Sequence, residues 1–102
     1  MVKIYGSKMC PDCTALVNNL EYYKIPYEYI DINDSLKNLK EFLVIRDEYL
    51  LDWCHQYGDI GLPACILDDG KVTIHWEEYL ESLGYTPLPS ENESCSISGK
   101  GC

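Results

Sequence analysis

Positive charge is scarce in this sequence. Eight Lys and Arg stand against seventeen Asp and Glu, a formal charge of -9, and the few cations are scattered with no stripe to follow a phosphate backbone. Nucleic acid and anionic lipid surfaces are therefore not expected partners. Long apolar runs are missing as well: none approaches membrane-spanning length, and no membrane association is expected. Met1-Val2-Lys3-Ile4-Tyr5-Gly6 lacks the charged-then-apolar-then-small layout of a secretory signal, which points to a cytoplasmic, reducing setting. In such a setting six cysteines read as reactive, metal-binding or buried residues, not as a disulfide framework. There is no internal repeat.

What is present suits one domain. The 102 residues are 46% apolar, in short blocks from Val2 to Leu83, enough to bury a core without staples. Val2 to Tyr5 reads as a strand closed by Gly6-Ser7. After Cys10-Pro11-Asp12-Cys13 comes a helix to Tyr23, with Cys13, Leu16, Val17, Leu20 and Tyr23 on one face and Pro11 in the first turn, where its missing N–H costs nothing. Tyr27 to Asp31 is a second strand, and Asn33-Asp34-Ser35 supplies capping side chains. From Ser35, the apolar residues Leu36, Leu39, Phe42, Leu43, Ile45, Tyr49 and Leu50 predict one long helix to about Leu51, with Lys37, Lys40, Arg46 and Asp47 on its wet side. Asp52 to Gly61 reads as a helix end plus a loop. Leu62 to Leu67 and Lys71 to His75 are strands joined by the turn signal Asp68-Asp69-Gly70, and Trp76 to Leu83 is a closing helix with Glu77 and Glu78 at its positive end.

The expected fold is α/β, in the order β-α-β-α-β-β-α: a four-stranded mixed sheet with parallel early strands, a final antiparallel hairpin, and helices on both faces. Residues 1–84 form the domain. Residues 85–102, with Pro87, Pro89 and a Ser-, Gly- and Glu-rich end, read as a flexible, cysteine-containing tail.

The chemistry lies in Cys10 and Cys13. A thiol attacks a disulfide as thiolate, and a cysteine ahead of a first helical turn, with Lys8 nearby in sequence, has its pKa lowered from about 8.5 into the range of roughly 3.5–7.5. Cys13, one turn inside, should be more buried and less reactive. Two intervening residues let the sulfurs meet in a small ring, so Cys13 can resolve a mixed disulfide formed on Cys10. Asp12, between them, offsets part of the thiolate's stabilisation. Pro63 opens a strand where a ladder hydrogen bond is absent; if its peptide bond is cis, the Leu62 backbone faces outward and could pair with an incoming peptide.

A C-P-x-C motif after the first strand and an x-x-Pro segment before the third resemble the glutaredoxin family of the thioredoxin superfamily, over roughly Val2 to Leu83. The resemblance implies a thioredoxin fold and a thiol–disulfide oxidoreductase that reduces protein disulfides or glutathione mixed disulfides. It further implies Cys10 as nucleophile, Cys13 as resolving thiol, Pro63 as cis-proline, and Lys8, Leu62 and Pro63 at positions that hold glutathione, the expected co-substrate. Four features depart from the family pattern. Asp12 stands where an aromatic is common, and Ile74-His75 replace a glycine pair. The connection to Pro63 is longer, and the tail is extra.

The remaining cysteines divide. Cys65, in an apolar strand, reads as a buried small hydrophobe, and Cys54-His55 as part of a half-buried loop. No second Cys-x-x-Cys is present, so no metal site is expected. Cys95 and Cys102 in the tail are candidate auxiliary thiols with a redox or regulatory role. Rival readings are an iron–sulfur or metal carrier using Cys10, and a thioredoxin-fold binding module without turnover. The protein is expected to be a monomer.

Overall fold

A computed structural model describes residues 1–88. In chain order the elements are β1 (Val2–Gly6), α1 (Pro11–Tyr22), β2 (Tyr27–Asp31), α2 (Leu36–Tyr49), α3 (Leu51–Tyr57), β3 (Ala64–Ile66), β4 (Val72–Thr73) and α4 (Trp76–Ser82). The strands form one sheet in the order β2-β1-β3-β4. β1 runs parallel to β2, with Val2 opposite Tyr27 and Gly6 opposite Asp31, and antiparallel to β3, with Ile4 opposite Cys65. β4 returns antiparallel to β3 through the expected turn, where Gly70 (φ 88°) donates its N–H to Leu67 O and Lys71 N–H donates back to Asp69 Oδ1. This is the expected four-stranded mixed sheet of the thioredoxin-like fold.

β1 is central and covered on both sides, which explains why four of its five residues are buried. Alternation along the strand sends successive side chains into two cores. Val2 and Ile4 pack with Leu16 and Leu20 of α1, Cys65 of β3, and Trp76 and Leu80 of α4. Tyr5 packs on the opposite face with Phe42 of α2, Leu50, Cys54 of α3, Leu62 and Ala64. The buried stripe of α1 is Cys13, Ala15, Leu16, Asn19 and Leu20; Val17 and Tyr23 are half-buried.

The structure corrects the stretch after Tyr49. The long helix stops there, Leu50 leaves helical geometry (φ -123°, ψ 3°) while its N–H still bonds Arg46 O, and a separate helix α3 occupies most of the expected loop. The element order is therefore β-α-β-α-α-β-β-α. Leu50 and Cys54, four apart, are both buried and supply an amphipathic turn, while Asp52, His55 and Gln56 take the wet side. Cys54 is thus a buried core residue on a helix, not part of a half-buried loop. Gly58 then ends α3 in the left-handed conformation (φ 63°), its N–H bonded to Cys54 O.

Residues 85–88 lie against the far end of α1. Tyr85 packs on Tyr23 with ring centroids 4.5 Å apart, the Tyr23 hydroxyl donates to Thr86 O, and buried Asn19 accepts from Leu88 N–H at 2.7 Å. Cys95, Cys102 and the rest of the expected tail lie outside the described residues. Among the described residues no helix is long and apolar enough to cross a membrane.

Candidate active site at the start of the first helix

β1 ends at Gly6, and the chain turns through Ser7-Lys8-Met9 to reach α1. That turn is held by side chains. The Ser7 hydroxyl donates to Asn33 Oδ1 across the β2 end of the sheet and accepts from Met9 N–H at 3.2 Å, while Cys10 N–H donates to Ser7 O at 3.1 Å. Cys10 follows as the N-cap residue of α1, in extended geometry (φ -101°, ψ 116°), with Pro11 opening the helix. Its carbonyl accepts the first helical bonds, from Cys13 and Thr14 N–H. Anchoring on both sides fixes the sulfur at the helix end.

The two thiols are driven in opposite directions. Cys10, half-buried, is lowered to about 7, first because the Cys13 thiol donates a hydrogen bond to its sulfur. Burial opposes this, the Cys13 and Asp12 amides favour the anion, and the Asp12 charge opposes it again. Cys13 is fully buried and raised far above an ordinary thiol, by that same hydrogen bond and then by burial. Its sulfur accepts from Ser7 N–H at 3.5 Å. Only Cys10 is therefore substantially ionised near neutrality. The helix end contributes as expected from sequence, but the larger effect comes from the partner thiol, and Lys8 is not among the causes.

A cleft of about 310 Å³ opens beside Cys10. Ser7, Asn33 and Leu62 line it with Ile32, the lips carry exposed Met9 and Ile60, and two carboxylates, Asp12 and Asp59, complete the wall. Asp59 is held in place: its Oδ1 accepts from Gly61 N–H at 3.0 Å, and its own N–H donates to Cys54 O. The Asp12 carboxyl sits above its ordinary value, through burial and then the Asp59 charge. Glu77, at the start of α4, is raised chiefly by burial and further by Asp12.

The structure brings together some of the expected site residues and separates others. Leu62 shares the cleft with Cys10. Pro63, buried behind it, has the cis peptide bond, and neither the N–H nor the C=O of Leu62 enters a backbone hydrogen bond among the described residues. Lys8 lies elsewhere, lining a second hollow of about 290 Å³ with Cys13, Thr14, Val17, Tyr27 and Tyr29. The Tyr29 hydroxyl and the Cys13 sulfur both approach Gly6 so closely that an added Cβ there would stand 2.7 and 3.1 Å from them. Sequence reasoning did not single out Asp59, Ile60, Ser7 or Asn33. The only available signal for Asp59 was its place between Gly58 and Gly61. Among the described residues no three His, Cys, Asp or Glu side chains converge as a metal set.

The glutaredoxin family profile matches residues 2–49, from β1 through the dithiol to the end of α2. The chain belongs to the glutaredoxin family. An uncharacterized protein of Haemophilus influenzae is 32% identical over 72 residues, covering 70% of this chain and 84% of that protein. No solved structure matches. The matched part of this glutaredoxin-family chain holds the dithiol and the Ser7–Asn33 anchor. The wall that bears Asp59, Ile60 and Leu62 lies beyond it.

Proposed function

We propose that the protein is a thiol–disulfide oxidoreductase in which Cys10 attacks and Cys13 resolves. The observation that carries this reading is the split between the two thiols. Cys10 is accessible from the cleft and lowered to about 7, while Cys13 is buried and kept protonated beside it. A thiol whose pKa lies near ambient pH is the most effective attacker, since thiolate fraction and nucleophilicity trade against each other.

The reaction runs in two displacements. The Cys10 thiolate attacks one sulfur of a substrate disulfide, that sulfur bonds to Cys10, and the other leaves as a thiolate. Formation of the mixed disulfide removes the negative charge from Cys10. Cys13 then loses its proton to solvent and attacks the Cys10 sulfur, expelling the second substrate thiolate. Two electrons pass to the substrate, both released thiolates take up protons, and Cys10–Cys13 is left as a disulfide. The N–H and C=O of Leu62, which enter no backbone hydrogen bond among the described residues, offer an extended substrate backbone a pair of hydrogen bonds beside the sulfurs. Substrates are protein disulfides or glutathione mixed disulfides. The dithiol is restored by glutathione or by a thioredoxin reductase, in a reducing cytoplasm.

The test is stopped-flow oxidation of the reduced protein by a neutral disulfide, hydroxyethyl disulfide, followed by coupled turnover with each donor. Cys10→Ser should remove all reaction at the cleft, and turnover retained in that variant refutes the assignment. Coupled turnover with glutathione and its reductase, compared with thioredoxin reductase, identifies the donor.

A further inference from the structure

The cleft that presents Cys10 has an unusual charge for a site that would receive glutathione. Each half of oxidised glutathione carries two carboxylates and one ammonium, so it is a net anion. The cleft meets it with two carboxylates, Asp12 and Asp59, in its lining, near enough that the Asp59 charge acts on the Asp12 carboxyl. Glu77 adds to the negative field around Asp12. Lys8, the nearest cation in sequence, lines the hollow on the Cys13 side instead. The second carboxylate is not a loose side chain, since the Asp59–Gly61 hydrogen bond fixes it at the rim. Beside it, Met9 and Ile60 are 84% and 60% exposed, apolar lips that a small polar tripeptide does not need but that the surface of a polypeptide can cover.

We infer that this cleft selects disulfides flanked by positive charge, as in a polypeptide with Lys or Arg beside its cystine, over the glutathione disulfide. The inference rests on the oxidoreductase reading and names its substrate class. The chemistry is the same two-displacement reduction, with two electrons supplied by the dithiol and an external thiol donor resetting it. The cation docks between Asp12 and Asp59 while the flanking apolar residues cover Met9 and Ile60, and the disulfide is held against Cys10. Charges lining a cleft act more strongly than in bulk water, because the protein wall behind them is of low dielectric.

The experiment uses the reduced, full-length protein and three small disulfides of different charge: cystamine (cationic), hydroxyethyl disulfide (neutral) and oxidised glutathione (anionic). Formation of the Cys10–Cys13 disulfide is followed by acid quench and mass spectrometry. Each rate is divided by that of the same disulfide with dithiothreitol, which removes differences between leaving thiols. The normalised rate for cystamine should exceed that for oxidised glutathione by at least about tenfold at low salt. In 1 M salt, where the screening length falls to about 3 Å, most of that preference should vanish. It should also collapse in an Asp12→Asn/Asp59→Asn double variant. A normalised ratio near one, or one favouring glutathione, overturns the inference, as does a preference that neither salt nor the double variant moves. The salt series on the unsubstituted protein decides the matter even if the variant does not fold. If the neutral disulfide also fails to react, the oxidoreductase reading falls too, which separates the two failures.

Discussion

The two sides of the dithiol differ more than the four-residue motif suggests. On the Cys10 side the wall is polar, acidic and partly open, built from the Ser7 turn, Asp12 and the Asp59-Ile60-Gly61-Leu62 segment. On the Cys13 side it is made of Lys8, Thr14, Val17, Tyr27 and Tyr29. Sulfurs three residues apart thus occupy one environment that tolerates an anion and another that resists it. One hydrogen bond between them lowers Cys10 and raises Cys13 at once. The division of labour within this Cys-x-x-Cys pair is therefore set first by the bond between the two thiols, then by burial, and only partly by helix position.

That asymmetry can be broken most severely by removing the resolving thiol. Cys13→Ser should trap substrate as a mixed disulfide on Cys10 and abolish reduction of protein disulfides, while leaving monothiol exchange with glutathione; mass spectrometry of the trapped species reads this directly. Cys13→Ala goes further for acidity, because no hydroxyl remains to donate to the thiolate. The Cys10 ionisation should then climb from about 7 back toward an ordinary thiol near 8.5.

A pH series of alkylation sharpens the same contrast. In the folded, reduced protein the Cys10 thiolate fraction rises through about pH 7. Its modification by iodoacetamide should therefore fall about tenfold for each pH unit below that value and level off above it. Cys13 should stay unmodified until the protein unfolds. Equal labelling of the two at neutral pH would contradict the split.

Two glycines, one on each side, give a smaller effect. An alanine at Gly61 would need a φ of 103° and would place a Cβ 3.1 Å from the buried Cys54 sulfur. Gly61→Ala should cost about 1–3 kcal/mol and slow the reaction by displacing Asp59 and Leu62. Gly6→Ala, which meets the Tyr29 hydroxyl and the Cys13 sulfur, should also cost about 1–3 kcal/mol, with its functional cost in the resolving step. Urea midpoints and single-turnover rates distinguish the two. Asp12→Asn is the mildest change. It removes a charge that opposes the Cys10 thiolate, so the Cys10 ionisation should move slightly lower, visible as a small leftward shift of the alkylation profile.

Much of this was readable in the chain because the informative residues act locally. Cys10-Pro11 before an amphipathic run announces a helix start, and Asp68-Asp69-Gly70 announces a hairpin; both depend on neighbours in sequence. The break at Leu50 was not readable, because Leu50 and Cys54 extend the apolar spacing of α2 smoothly and only tertiary packing shows the chain turning. Leu36 and Tyr49, expected on the apolar face, are 65% and 58% exposed; periodicity marks a stripe but not how far the sheet extends beneath it. The acidic cleft was hidden for a similar reason. Asp12 and Asp59 are 47 positions apart, and nothing short of the fold brings them into the lining of one cleft. Lys8 shows the converse, since proximity in sequence to Cys10 did not put it in the same cleft.

Cys13 belongs to the same buried cluster as Tyr5, Phe42, Leu50 and Cys54. Reduction and unfolding of this protein are therefore two edges of one thermodynamic cycle. A substitution in the α2–α3 layer that costs the dithiol and disulfide forms unequally must move the reduction potential by the same free energy, about 30 mV for each 1.4 kcal/mol. Residues that never touch a substrate, Phe42 above all, thereby become determinants of electron affinity.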